Sequence, residues 1–379
     1  MEEIFDLSLP KVEFDSTLVQ LVMQLEALRK NYISIETQPA LFYQVKSIFH
    51  MIESLQSARI EGNRTTISDY VSAKFEKKNN SESIKEIENI ENAIDYVNSC
   101  YSNDSNFKIS AHFLKELHTI ITKDLKNEGS KESGRFRTCN VKINNAIHTP
   151  PDMFLVEEYM GKLIDWINQD DKMQMQLLKV AIAHHKFTWI HPFDNGNGRM
   201  SRILTYAMLR QYGFDMAYLL NSTAVFCMDR NKYFDMLQKA DSDTNEGKLA
   251  WCEYVLDGIN NEMSKVSNLM NKTFFADKIV KPAINRAYDL HFISQEYKQV
   301  LQLSLNKNDG LIKSADIQKL LVDKTPRQVT TLITKMVESG LLIKLEPKGR
   351  MYIINLLSKD LARGIIESLY KEKFIAIDN

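Results

Sequence analysis

Apolar residues recur three and four positions apart through most of the chain, as in STLVQLVMQLEALRK (16–30) and ALFYQVKSIFHMIESLQSARI (40–60), and strict alternation is scarce. The pattern predicts a mainly α-helical protein. Polar clusters interrupt it at 74–83 (KFEKKNNSES), 101–106 (YSNDSN) and 127–134 (NEGSKESG), each read as a surface connection. Before residue 280, strand-like alternation is convincing only in Phe136–Pro151, through Val141 and Ile143 with a turn at Asn144-Asn145, which predicts a hairpin on a helical body. The pattern changes character near residue 280. The expected organisation is an N-terminal helical region (1–98), a core (99–270) and a smaller C-terminal domain (280–379).

Length and charge fit that division. A chain of 379 residues exceeds one compact core. Its formal net charge of -1 supplies no global attraction to nucleic acid or a membrane surface. The first residues, MEEIFDLSLPKVEF, have neither a basic n-region nor an apolar h-region, and no apolar run reaches the roughly 18 residues of a membrane span. A cytoplasmic protein without a membrane partner is expected. Cys100, Cys139, Cys227 and Cys252 lack paired spacing and are read as reduced thiols.

The chemistry concentrates between His191 and Arg202. A helical stretch, LLKVAIAHHKFTWI, is broken by HPFDNGNG, and RMSRILTYAMLRQYG resumes the helical period. A glycine-rich turn entering a helix leaves backbone N–H groups free at the positive end of the dipole, a setting that attracts phosphate. Arg199 and Arg202 stand three apart in the first turn, so their guanidinium groups share a face and can hold an anion between them. His191 precedes the loop, where a group titrating near neutrality can take a proton from an attacking hydroxyl. A plain helix corner with a structural histidine is the alternative reading of the loop alone.

HPFDNGNGRMSR resembles the H-P-F-x-[D/E]-G-N-G-R-x-x-R motif of Fic-domain proteins at all specified positions but one. The resemblance implies a helical Fic core with a β-hairpin flap, and transfer of AMP from ATP to a Ser, Thr or Tyr hydroxyl of a target protein and of the chain itself. By the same resemblance His191 is the general base, and Phe193 packs the motif into the core. Gly196, Asn197, Gly198, Arg199 and Arg202 would hold the nucleotide phosphates. Asn195 stands where most of the family has the Asp or Glu that holds Mg²⁺; a neutral carboxamide should hold the ion more weakly, and Asp194 beside it is the second candidate ligand. ATP and Mg²⁺ are thus the implied small-molecule partners.

GRFRTCNVKINNAIHTPP resembles the Fic flap in its Arg137, its Val141-x-Ile143 core and its closing Pro150-Pro151. Lys142, Ile143, Asn144 and Asn145 would then lie near ATP, and the exposed strand could pair with target backbone. A purely structural hairpin is the alternative. CMDRNKYFDMLQKADSD is similar to the family's R-x-x-Y-Y-x-x-L helix and places Tyr233 near the adenine, although a Tyr beside Phe234 and Leu237 also reads as core.

Upstream, the helix through Phe49–Ile60 should stop at Gly62, which leaves Glu61 at the negative end of the dipole. A carboxylate there calls for a cationic partner. Ser57-Ala58-Arg59-Ile60-Glu61-Gly62 resembles the [S/T]-x-x-x-E-[G/N] inhibitory motif of Fic proteins, which implies that Glu61 pairs with Arg202 and removes the γ-phosphate clamp.

Toward the C-terminus, SADIQKLL, TPRQVTTLITKMVESGLL and IKLEPKGRMYII read as helix, helix, hairpin. Thr325-Pro326 starts the second helix, Val329, Leu332, Ile333 and Met336 form its buried stripe, Gly340 ends it, and Pro347-Lys348-Gly349 turns the hairpin. This resembles a winged helix. Lys324, Arg327, Gln328, Lys335, Lys348 and Arg350 could meet DNA, but Asp316, Asp323, Glu338 and Glu346 dilute that charge, and a protein-interaction or dimerisation module is the competing reading. The expected partners are a hydroxyl-bearing target protein, DNA through this domain, and a second copy in a homodimer. Two other functions compete with transfer: a DNA-binding regulator whose Fic core senses nucleotide with little catalysis, and a metal-dependent hydrolase using His184, His185 and His191. The last is disfavoured because adjacent helical residues point about 100° apart.

Overall fold

In a computed structural model of the chain, the structure describes residues 5–30, 39–66, 69–70, 73–74, 81–143, 146–214, 222–307, 310–346 and 349–374. They divide into two compact units: Met1–Tyr32, His50–Thr65 and Asn80–Ser264 in one, and Ile33–Phe49, Thr66–Asn79 and Lys265–Asn379 in the other.

The helices that contribute to the first unit are α1 (Thr17–Lys30), α2 (Pro39–Ile60), α3 (Glu82–Asn103), α4 (Ala111–Thr122), α5 (Met153–Ile167), α6 (Met173–Ile190), α7 (Asn197–Gln211), α8 (Ala224–Cys227), α9 (Arg230–Ala240) and α10 (Asn245–Met270). At the centre lies α6, buried from Leu177 to Phe187 on every side, which explains why its sequence shows no one-sided apolar stripe. Its polar side chains are buried with partners: Lys179 with Asp171, His185 with Asp241 at 2.9 Å, and Lys186 with Asp243 at 2.8 Å. Beside it packs α7, buried from Arg199 to Leu209.

Two short caps set the ends of helices near the site. Gly62, at φ 104°, ends α2 with Asn63 N–H donating to Ala58 and Gly62 N–H to Arg59, the six-to-one and five-to-two bonds of a left-handed C-terminal cap. Gly196, at φ 76°, begins α7. The Phe136–Pro151 segment carries no β-ladder among its described residues, in contrast to the expected hairpin; Asn144 and Asn145 lie outside the described residues. Its polar backbone is met by Arg137, which donates to the carbonyls of Cys139 and Pro151 at 2.9 and 2.5 Å.

The second unit contains α11 (Lys281–Asp289), reached through a π-helical turn at Phe275–Val280, then α12 (Gln295–Asn306), β1 (Ile312–Lys313), α13 (Ser314–Leu320), α14 (Pro326–Glu338), β2 (Leu342–Lys344), β3 (Met351–Ile354) and α15 (Lys359–Lys371). The helix, helix, hairpin order follows the sequence reading, and Val329, Leu332, Ile333 and Met336 are the buried face of α14. Thr325 and Gln328 cap that helix reciprocally, and Gly340 follows it at φ 76°. Strand β3 pairs antiparallel with both neighbours, Leu342 opposite Ile354 and Ile312 opposite Tyr352, in the order β1-β3-β2. The expected wing turn at Pro347-Lys348 lies outside the described residues. Helix α15 packs closely on α11, because Gly364 leaves room for Ala283 where a Cβ would collide.

Candidate active site

His191 caps α6 in the left-handed region, at φ 51° and ψ 60°. A non-glycine residue there carries a strain of about 1 kcal/mol or more that its surroundings must offset. Arg137 does so: its Nε donates to the His191 carbonyl at 2.9 Å, and its own N–H donates to Pro192 O at 2.8 Å. The ring is oriented by Nδ1, 3.3 Å from Thr188 O. A carbonyl can only accept, so Nδ1 carries the proton and Nε2 presents its lone pair. Burial first, with the Arg137 charge also contributing, pushes the imidazole pKa down to about 4, so the ring is neutral at physiological pH.

The turn between His191 and α7 is shaped from within. Asn197 uses both ends of its carboxamide on Phe193, accepting from its N–H and donating to its carbonyl, each at 2.9 Å. Phe193 is fully buried. Asp194 accepts from Ser130 Oγ and, at 2.9 Å, from Lys131 N–H. Asn195 donates to Gly129 O at 3.1 Å, while its Oδ1 accepts from Gly196 N–H at 2.7 Å. The 127–134 segment, read from sequence as a surface connection, is therefore one wall of the loop.

These bonds bear directly on Mg²⁺. Each Asp194 oxygen and the single Asn195 oxygen accepts one hydrogen bond and keeps a second lone pair. Among the described residues no group of three or more His, Cys, Asp and Glu is placed to hold a metal. His184 and His185 face different partners. His184 donates through Nδ1 to Thr205 Oγ1, whose own proton goes to Ser201 O, and its Nε2 accepts from Tyr233 at 2.9 Å. Tyr233 is buried, and burial pushes its pKa up to about 12; its hydroxyl is committed to His184.

The two arginines of α7 are each met by carboxylates. Arg202, 1% exposed, donates from Nη2 to Glu61 Oε1 at 2.7 Å and to Ser57 O at 3.1 Å, and from Nε to Ser57 Oγ at 2.9 Å. Burial opposes ionisation of Glu61, but the charges of Arg202, Arg199 and Arg230 outweigh it and hold the carboxyl below its ordinary pKa. Glu61 also lies over the start of α7, where a Cβ on Gly198 would collide with its Oε1. Arg199 lies 3.2 Å from Glu86 Oε1 and 3.6 Å from Glu128 Oε2, and donates to Glu128 O at 2.7 Å. Burial raises the Glu86 pKa, and Asn63 donates to its second oxygen at 2.8 Å. The carboxylates answer the repulsion that two cations feel at a helix N-terminus.

The structure thus brings His191, the 194–198 turn, Arg199 and Arg202 together with Ser57 and Glu61 in one unit. Lys142 is exposed and Ile143 half-buried. Sequence reasoning did not find His118, Glu86 or the Gly129–Lys131 wall. The only sequence signal of His118 and Glu86 is a polar residue inside an apolar helical stripe, which has many other causes, and Gly129–Lys131 lies in a polar segment read as a surface connection.

Residues 108–209 match the Fic/DOC family. Among curated proteins, the chain is 31% identical over 165 residues to protein adenylyltransferase Fic of Culex quinquefasciatus, covering 43% of this chain and 30% of that one. It is 30% identical over 156 residues to the protein of the same name in Nematostella vectensis, covering 41% and 34%. The matched region spans about a third of the length of these relatives. Among solved structures, a Fic family protein from Desulfovibrio desulfuricans G20 aligns with a TM-score of 0.56 at 20% identity, over 92% of this chain and 98% of that one. Residues 134–508 of Fic-1 from C. elegans align with a TM-score of 0.53 at 18% identity, over 68% and 73%. The glycine-rich turn, its histidine and most of the helix behind them lie within residues 108–209, the part of the chain that matches the Fic/DOC family.

Proposed function

We propose that the chain is a protein adenylyltransferase, moving AMP from ATP to a hydroxyl of a target protein and of itself, and that Glu61 restrains it. The observation that carries the reading is the buried Arg202, a cation in the second turn of the anion-attracting helix α7, paired with a carboxylate just past the end of α2. The names of the curated relatives support the chemistry.

In the proposed step the acceptor hydroxyl oxygen attacks the α-phosphorus of ATP, the bond to the oxygen bridging to the β-phosphorus breaks, and pyrophosphate leaves. The hydroxyl proton passes to His191 Nε2, the nitrogen left basic by the Nδ1 contact with Thr188. The free N–H groups at the start of α7 and, once Glu61 withdraws, Arg202 stabilise the phosphate charge. Glu61 and the γ-phosphate compete for one guanidinium, so the brake lowers productive ATP binding.

Incubation of the full chain with ATP labelled at the α-phosphate, followed by mass spectrometry, tests the proposal. An added mass of one AMP on a Ser, Thr or Tyr, stronger in Glu61→Gly, is expected. An added mass of one phosphate without α-phosphate label, or no adduct in either protein, would overturn it.

A further inference from the structure

His118, on α4, is fully buried and lies flat against Phe193, with ring centroids 3.8 Å apart and planes within 4°. Its Nδ1 is 3.0 Å from Gly134 N, and its Nε2 is 3.1 Å from Asn195 O. A backbone N–H can only donate and a carbonyl only accept, so the ring must be neutral with its proton on Nε2. A second proton, on Nδ1, would face the Gly134 N–H.

The two bonds join the walls of the site. Gly134 closes the 127–134 segment at φ 74°, pressed so closely on α4 that a Cβ would collide with Thr119 Oγ1. That segment binds the turn in turn, through Asp194 and Asn195. Phe193 and Asn195 lie between the base at His191 and the anion-attracting start of α7. One imidazole therefore touches the segment by one nitrogen, the turn by the other and the motif phenylalanine by its face.

We propose that His118 is a positioning residue for the transfer: its neutral Nε2–H form fixes the Pro192–Gly196 turn, and so the spacing between His191 and the phosphate-binding N–H groups. The inference rests on the adenylyltransferase reading. Misplacing reacting groups by about 1 Å costs on the order of 100-fold in rate. The two interactions of the ring can be separated by substitution. His118→Phe keeps the stack and loses both hydrogen bonds, whereas His118→Gln loses the stack and keeps an amide donor for Asn195 O.

The test uses the full chain in the Glu61→Gly background, with kcat and KM for ATP, melting temperature, and hydrogen exchange of the 193–198 amides. His118→Phe should melt below its parent, because the Gly134 N–H and the Asn195 carbonyl lose their partner, yet stay folded at the assay temperature, lose roughly 10- to 100-fold in kcat, and exchange faster at 193–198; His118→Gln should recover at least part of the lost kcat. Equal kcat in His118→Phe and its parent, unchanged exchange at 193–198, or no recovery in His118→Gln would overturn the assignment. A parent that transfers no AMP would sink the adenylyltransferase reading alone, since the exchange measurement still decides whether His118 holds the turn.

Discussion

Arg202 and Glu61 are 2.7 Å apart, the arginine in the second turn of one helix and the carboxylate just past the end of another. Glu61 is poorly placed in its own helix, because the dipole repels an anion at a C-terminus, and the buried Arg202 guanidinium needs a counter-charge. Paired, they answer each other. The proposed brake uses a contact that the local electrostatics already favours, and ATP must displace it. Glu61→Gly should raise self-modification by roughly 5- to 150-fold, the usual range for coupled sites. Equal incorporation of α-phosphate label by variant and wild type would remove Glu61 as the brake.

The pH dependence follows from His191. Its folded pKa of about 4 leaves the base neutral over the physiological range, so transfer limited by this group should be flat from about pH 6 to 8 and should fall as acid protonates the ring near pH 4. His191→Ala should lose roughly 100- to 10,000-fold in kcat. An acid limb centred near pH 6.5 in the Glu61→Gly background would mean that the imidazole is not held neutral by burial.

Arg199 and Glu86 are both buried, with side chains 1% and 4% exposed. Removing Glu86 leaves the buried Arg199 only the exposed carboxylate of Glu128, 3.6 Å away, a loss of up to roughly 3–5 kcal/mol, whereas replacing both buried partners with apolar groups can be nearly neutral. Urea unfolding should therefore find Glu86→Ala much less stable than the double variant Glu86→Leu, Arg199→Met. Equal losses in the two would show that the pair does not act as a unit.

Glu53, on α2 one turn before Ser57, accepts from Ser222 Oγ at 3.1 Å and from Thr223 N and Oγ1 at 3.3 Å. Burial raises its pKa to about 7, against the lowering effects of His50 and these hydrogen bonds. The folded state thus holds a proton that the unfolded state releases at about 4.5. Stability from this group is present below pH 4.5 and is lost as pH rises through 7. Glu53→Gln should melt higher than wild type at pH 8, with a smaller difference at pH 5. A difference in melting temperature that does not change with pH would contradict this.

Much of the site was legible in the chain because its parts are local. The helix, breaker, helix pattern around HPFDNGNG, the stop at Gly62 and the exposed dipole ends depend on residues within a few positions of one another. The strand pattern of Phe136–Pro151 was equally local, yet among its described residues no ladder forms. Arg137 binds the carbonyls there and the segment follows His191 and Pro192 instead.

The sequence by itself determined the helical class, the turn that feeds α7, the buried stripe of α14 and the mismatch of Glu61 with its own helix. Only the tertiary structure decided where the partners are. It brought Glu61 across 141 positions to Arg202, turned NEGSKESG into a wall of the loop, and buried Tyr233 against His184. It also placed Gln44, from the N-terminal part of the chain, against the backbone of Ile354 and Leu356. The physical reason is range: caps, turns and periodicity act over one or two helical turns, whereas burial and charge pairing depend on which distant segments share a neighbourhood.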